Sequence, residues 1–167
     1  MSHYFDPDPQ VASDEQLVEV TLPTVSFTMV TDRGVFGHGR LDTGTHLLLQ
    51  TAPPPPGDGN LLDLGCGAGP IALTMAMRSP GATVYAVDVN ERARELCRRN
   101  ATRLGLDNVE VGSPDEIDPD LRFDLVWSNP PIRIGKAALH DLLLTWLGRL
   151  SDGGAAVLVI QRHLGAD

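Results

Sequence analysis

Apolar and polar positions alternate with a period of two near the start of the chain. Over residues 17–22, Leu17, Glu19 and Thr21 face one way and Val18, Val20 and Leu22 the other. Residues 25–31 alternate again after Pro23 and Thr24, so the two stretches predict a β-hairpin. Residues 32–44 carry four glycines and end in Asp42 and Thr43, an N-cap signal ahead of a short helix over 45–50. Pro53 to Pro56 then form an extended connector. From residue 60 the pattern switches repeatedly between strand and helix: strand 61–64, helix 71–78, strand 83–87, helix 91–104, strands 109–111 and 123–127, helix 137–150 and strand 155–160. Repeated strand–helix–strand units imply an α/β fold with a doubly wound, mostly parallel sheet. The whole chain, 1–167, reads as one domain, with residues 1–52 as an N-terminal hairpin and loop extension and 60–167 as the core.

Composition narrows the class. Hydrophobic residues make up 42% and charged residues 21%, which supplies a core and excludes whole-chain disorder. No apolar run approaches the ~20 residues that span a bilayer. The N-terminus has neither a basic start nor an apolar stretch behind it, so no membrane partner is expected and the expected compartment is the cytoplasm. Thirteen basic residues against twenty-two acidic ones give a net charge of −9, which disfavours non-specific adhesion to nucleic acid. A local basic patch still acts within a Debye length of ~10 Å, so charge alone does not exclude RNA. Cys66 and Cys97 are the two cysteines and are expected as reduced thiols. The five histidines show no metal-ligand spacing, and no metal is expected.

The chemistry concentrates in two segments. Asp63-Leu64-Gly65-Cys66-Gly67-Ala68-Gly69-Pro70 ends an apolar strand and opens a helix with Pro70 at its first position. Glycine permits so tight a turn and so close a backbone approach to a ligand. Asp88 ends the next strand, 19 residues beyond Gly69, where a carboxylate can accept both hydroxyls of a ribose. The competing reading is a tight turn and a surface acid. Asp63 would repel a pyrophosphate and attract an ammonium group, which favours S-adenosylmethionine over a dinucleotide. The second segment, Ser128-Asn129-Pro130-Pro131-Ile132, follows an apolar strand at the carboxyl edge of the sheet. Two prolines stiffen it and remove backbone donors, leaving the Asn129 amide and the Pro130 carbonyl as fixed acceptors suited to an NH2 group. The alternative is a rigid turn capped by Asn129.

These residues resemble the class I S-adenosylmethionine-dependent methyltransferases. Asn129-Pro130-Pro131-Ile132-Arg133-Ile134-Gly135-Lys136, together with the glycine-rich loop 34–45, resembles the "methyltransferase small" group, which includes guanine-N2 methyltransferases of small-subunit ribosomal RNA. The resemblance implies a Rossmann-like methyltransferase fold, S-adenosylmethionine as cofactor with S-adenosylhomocysteine as product, and ribosomal RNA or the small ribosomal subunit as partner. It places catalysis at Asn129, Pro130, Pro131 and Ile132. It places the cofactor against Asp63, Gly65, Cys66, Gly67, Gly69, Asp88, Val89, Ser113 and Asn129, and the substrate against Phe36, Asp42, Arg133 and Lys136. Ile132 departs from the aromatic residue of the amino-methylating branch and offers no π-face to a flipped base. Bland readings stand beside several of these residues: Asp42 as a helix cap, Phe36 as loop packing, Ser113 as a turn, and Arg133 and Lys136 as helix-start charges. Arg92, Arg94, Arg98, Arg99 and Arg103 read as a solvated helix face, and Trp127 and Trp146 as core. Only seven residues follow the last predicted strand, whereas a closing antiparallel hairpin takes ~30, so the C-terminal hairpin of the fold is expected to be missing. The expectation is a shortened chain, with a naturally trimmed variant or self-association through the last strand's edge as alternatives. Two other functions remain: methylation of a protein glutamine amide, which suits the acidic surface, and a cofactor-binding module without transfer activity.

Overall fold

The computed structural model describes Pro7 and residues 10–162; the opening His3-Tyr4-Phe5 lies outside the described residues. Strands β1 (Gln16–Thr21) and β2 (Ser26–Thr31) form the antiparallel hairpin, with Gln16 opposite Thr31 and Thr21 opposite Ser26. Helix α1 (Thr43–Thr51) follows, capped by Asp42 as its sequence signal predicts. The core then runs β3 (Asp58–Leu64), α2 (Pro70–Arg78), β4 (Gly81–Val87), α3 (Glu91–Arg103), β5 (Val109–Gly112), β6 (Phe123–Ser128), α4 (Lys136–Leu147) and β7 (Leu150–Leu158). The five core strands are all parallel and lie in the order β5-β4-β3-β6-β7. Strand order therefore reverses between β3 and β6, and open α/β sheets bind ligands at the carboxyl ends of the strands flanking such a reversal.

Side-chain alternation along the strands feeds two cores. Leu61, Leu125 and Trp127 point to the face covered by α1, α2, α3 and the hairpin, where Leu48, Met75, Cys97 and Phe27 are buried. Leu62, Leu64 and Val126 point to the other face, which Trp146 of α4 covers. Arg149 lies over the rings of Phe123 and Trp146 at 5.2 and 4.7 Å and closes that second core from below.

Two expectations need correction. The last helix ends at Leu147, before residue 150, because Gly148 caps it by donating to the carbonyls of Leu144 and Trp146. Leu150 then pairs with Phe123, an irregularity follows in which Gly153 takes φ +78°, and regular pairing resumes at Ala155 opposite Leu125. The arginines of α3 are also more than a solvated face. Arg92 donates to the carbonyls of Arg33 and Val11, Arg94 to those of Asp88 and Val89, and Arg98 to that of Val111. These side chains tie the carboxyl ends of β4 and β5, and the segments around the hairpin, onto α3.

Candidate functional site

At the carboxyl ends of β3, β4 and β6 the chain encloses a cavity of about 610 Å³. Its floor is the glycine loop. Gly65 and Gly67 take φ of +79° and +55°, so the turn needs residues without a Cβ. The backbone N–H groups of Gly65 and Cys66 both donate to the carbonyl of Val87, at 2.8 and 3.0 Å, which binds the loop to the end of β4. A Cβ on Gly67 would stand 3.6 Å from the Phe36 carbonyl, so the loop of residues 34–42 packs directly over this turn.

Asp88 stands at the tip of β4. One carboxylate oxygen accepts from Gly67 N–H and the other from Asn90 N–H, each at 2.9 Å. Burial raises its pKa above the ordinary carboxylate value, opposed by those N–H donors and by the Arg94 guanidinium. The Val89 N–H also donates to the carboxylate, and a carboxylate's roughly four lone-pair sites still leave capacity for a ligand hydroxyl. Val89, 44% exposed, adds an apolar surface to the cavity wall beside it. Asn90 caps α3 and donates to the carbonyl of Gly34, so the residues after β4 also hold the N-terminal loop in place.

The opposite wall is the Asn129-Pro130-Pro131 segment. Ser128 Oγ donates to the Leu64 carbonyl at 2.6 Å and fixes the end of β6 against the end of β3. Asn129 Nδ2 donates to Asp42 Oδ2 at 2.8 Å and to Thr45 Oγ1 at 3.1 Å. Both amide hydrogens are thereby engaged, and the side-chain oxygen is left as the acceptor. Pro131 enters a short 3₁₀ turn, Ile132–Ile134, whose isoleucines line the cavity with Phe36. Leu142 and Trp146 of α4 complete the apolar side.

Of the residues singled out from sequence, Phe36, Asp42, Gly65, Gly67, Asp88, Val89, Asn129, Pro130, Pro131, Ile132 and Arg133 all line this one cavity. Five do not. Asp63 is wholly buried beneath the loop, where Oδ2 accepts from Ala72 N–H at 2.9 Å; desolvation pushes its pKa up to about 8. It braces the first turn of α2 and does not line the cavity, because it shares the inward face of β3 with Leu61. Cys66 is buried, its thiol pushed well up by the Cys97 side chain and by burial, in that order, so only its backbone serves the loop. Gly69, at φ +105°, has Cys97 Sγ 2.7 Å from where a Cβ would sit, so it is glycine for packing against α3. Ser113 N–H is held by Glu116 in a 3₁₀ turn, and Pro114 takes its place at the cavity. Lys136 begins α4 on the exposed surface, one turn removed from the wall that Arg133 joins.

Sequence reasoning took in the loop 34–45 without singling out Thr45 and Gly44, which surround the Asn129 amide, read Trp146 as core, which it is, but not as cavity wall, and passed over Leu142. Helical spacing of four between Leu142 and Trp146 was a usable signal for the last pair. No local pattern joins Thr45 to Asn129, 84 residues apart.

The cavity fits S-adenosylmethionine on its own geometry: a floor of glycines whose missing Cβ atoms open it, an acid placed for ribose hydroxyls, and an apolar edge at Val89 for a purine ring. The family described as methyltransferase small domain matches residues 26–167. YbxB of Bacillus subtilis, an uncharacterised protein, is 36% identical over 167 residues, covering 98% of this chain and 83% of that protein. A ribosomal RNA small subunit methyltransferase C of Pseudomonas putida is 37% identical, covering 95% of this chain and 50% of that enzyme. The chain thus spans about half the length of that relative, or less for similar enzymes such as that of Shewanella amazonensis, where it covers 43%. A Thermus thermophilus 16S rRNA N2 methyltransferase, solved with AdoMet and guanosine, superposes with a TM-score of 0.72 at 24% identity, covering 90% of this chain and 43% of that one. That likeness is one of fold.

Proposed function

The chain belongs to the methyltransferase small domain family, whose cofactor is S-adenosylmethionine, and we propose that it methylates an exocyclic amine, guanine N2 of small-subunit ribosomal RNA. The observation that carries this reading is the Asn129 amide, held by Asp42 and Thr45 on one wall of a cavity whose floor is built for an adenosyl group. Gly65, Gly67, Asp88 and Val89 would hold the cofactor. When bound, it supplies an electrophilic methyl group on a sulfonium.

The remaining chemistry belongs to the chain. Asn129 Oδ1 and the Pro130 carbonyl accept the two hydrogens of an NH2 group. With both N–H bonds held, the nitrogen lone pair is the part of the amine left to face the methyl donor. Ile132, Ile134 and Phe36 give the acceptor ring apolar contact, and Phe36 brings to the cavity the aromatic surface that Ile132 lacks. No general base is required, because the nitrogen is cationic and strongly acidic once methylated and gives its extra proton to solvent water. Ribosomal RNA methyltransferases among the relatives, and guanosine in the Thermus complex, support guanine N2 over other amines.

The first test is calorimetric titration of S-adenosylhomocysteine. The wild-type chain is expected to bind in the micromolar range and Asp88→Ala to lose at least about tenfold, since a hydrogen-bonded ribose contact contributes ~1.5–3 kcal/mol. Methyl transfer to undermethylated small ribosomal subunits then tests the acceptor. Transfer to a protein glutamine amide and not to subunits would replace the RNA reading; cofactor binding with no transfer to either would leave a binding module.

A further inference from the structure

Three donors converge on one oxygen at the wall of the site. Asp42 Oδ2 accepts from Gly44 N–H at 2.9 Å, Thr45 N–H at 3.1 Å and Asn129 Nδ2 at 2.8 Å. The first two are the N-cap of α1; the third comes from the residue after the carboxyl end of β6, 87 positions along the chain. Thr45 Oγ1, on a residue only 3% exposed, accepts from the same Nδ2 at 3.1 Å. Gly44 makes the convergence possible. A Cβ there would lie 3.1 Å from Asp42 Oδ2, 3.3 Å from Asn129 Nδ2 and 3.0 Å from Val159 Cγ1.

A primary amide has a donor end and an acceptor end of nearly equal size, and packing alone seldom distinguishes them. Here the distinction is electrostatic. Turning the Asn129 amide over would set its oxygen against an oxygen that already accepts from two backbone N–H groups. That exchanges a charge-assisted hydrogen bond for a repulsion inside a partly buried site. We propose that Asp42 and Thr45 are positioning residues that lock the polarity of the Asn129 amide, so that the cavity receives its oxygen and selects acceptors that donate N–H. This reassigns Asp42 from substrate contact to support of Asn129, and rests on the reading that Asn129 receives the acceptor amine. It also explains why α1, which carries no reacting group, is anchored by its first turn to the catalytic wall. A carbonyl-bearing edge, such as that of uracil, would meet an oxygen and be refused; an amine would meet two acceptors.

The test uses the full ¹⁵N-labelled chain. The Asn129 side-chain NH2 signal is identified by its disappearance in Asn129→Asp, and its hydrogen exchange is followed in wild type, Asp42→Ser and Thr45→Val. Serine still caps a helix, and valine leaves the Thr45 backbone donor in place, so both substitutions spare α1. Exchange is expected to be slow in the wild type and at least about tenfold faster in both variants. In transfer assays, kcat should fall ~10–100-fold in Asp42→Ser, the range seen when a supporting hydrogen bond is removed, with KM for S-adenosylmethionine unchanged. Gly44→Ala should reproduce the fast exchange by crowding the cluster. Equal exchange in wild type, Asp42→Ser and Thr45→Val overturns the assignment, even if transfer is observed. A protected amide released by both substitutions upholds it, and a wild type that then methylates no RNA amine removes the acceptor reading alone.

Discussion

Asp63 shows how a single side chain can change its role once its surroundings are known. It stands in a glycine-loop motif, and its charge invites a ligand contact, yet its carboxyl is sealed under α2 with Oδ1 lacking a hydrogen-bond partner. Its pKa is pushed up to about 8 by desolvation, with Ala72 N–H opposing and Asp88 adding to the rise. Folding therefore retains a proton that the unfolded chain releases near pH 4, and stability on this account is full below the unfolded value and falls as pH rises through about 8. Asp63→Asn keeps the acceptor for Ala72 and removes the titration. Urea denaturation from pH 4 to pH 9 should find the variant close to wild type at the acid end and increasingly more stable than it towards pH 9. A constant difference across that range would mean that Asp63 is ionised throughout. Asp32 and Asp124, whose pKa values are lowered, act in the opposite sense and at more acid pH in both proteins, so the difference between the two curves isolates Asp63.

At the scale of elements, α3 holds the site together. Asn100, wholly buried on this helix, accepts from Val30 N–H at 2.8 Å and donates to the carbonyls of Val30 and Ala68, each at 2.9 Å. One amide thus satisfies the free side of the hairpin's second strand and a carbonyl of the glycine loop. Asn100→Ala would strand these backbone groups away from water, and is expected to cost on the order of 2–4 kcal/mol in urea denaturation. Backbone hydrogen exchange should speed up at Val30 and in residues 68–69 together. Acceleration at one without the other would show that hairpin and loop are held independently. Arg94 acts on the same principle, its guanidinium fixing the carbonyls of Asp88 and Val89 and so the acid itself.

Across the whole molecule, the net charge of −9 sets the terms on which RNA can be met. That charge opposes long-range attraction to phosphate, so under the proposed RNA reading the contacts would fall to cations beside the cavity, where Arg133 lines it and Lys136 follows one turn later. Two phosphate contacts correspond to a slope of about −2 in log affinity against log salt, far shallower than for basic RNA-binding proteins. The apparent KM for small subunits, measured over a potassium chloride series, should rise with that slope, and Arg133→Ala should reduce it by about one. A flat dependence would favour a protein amide as acceptor.

Much of this was open to reading in the sequence because it depends on near neighbours. The periods of two and about three and a half placed the hairpin, α2, β4 and α3 within a few residues, and glycine spacing plus Asp88 marked one side of the cavity, since a tight turn after a strand has few chemical solutions. The Asn-Pro-Pro segment was equally legible, because proline's fixed φ and missing donor act within the segment itself. What the sequence could not decide is which way a side chain turns when both directions are chemically sensible. Asp63 and Asp42 are both acids beside functional loops; one faces the inside of the sheet and the other an amide 87 residues away. Only the tertiary structure separates them, because burial and long-range hydrogen bonding depend on which strands lie side by side, and β3 and β6 become neighbours only when the sheet reverses its order.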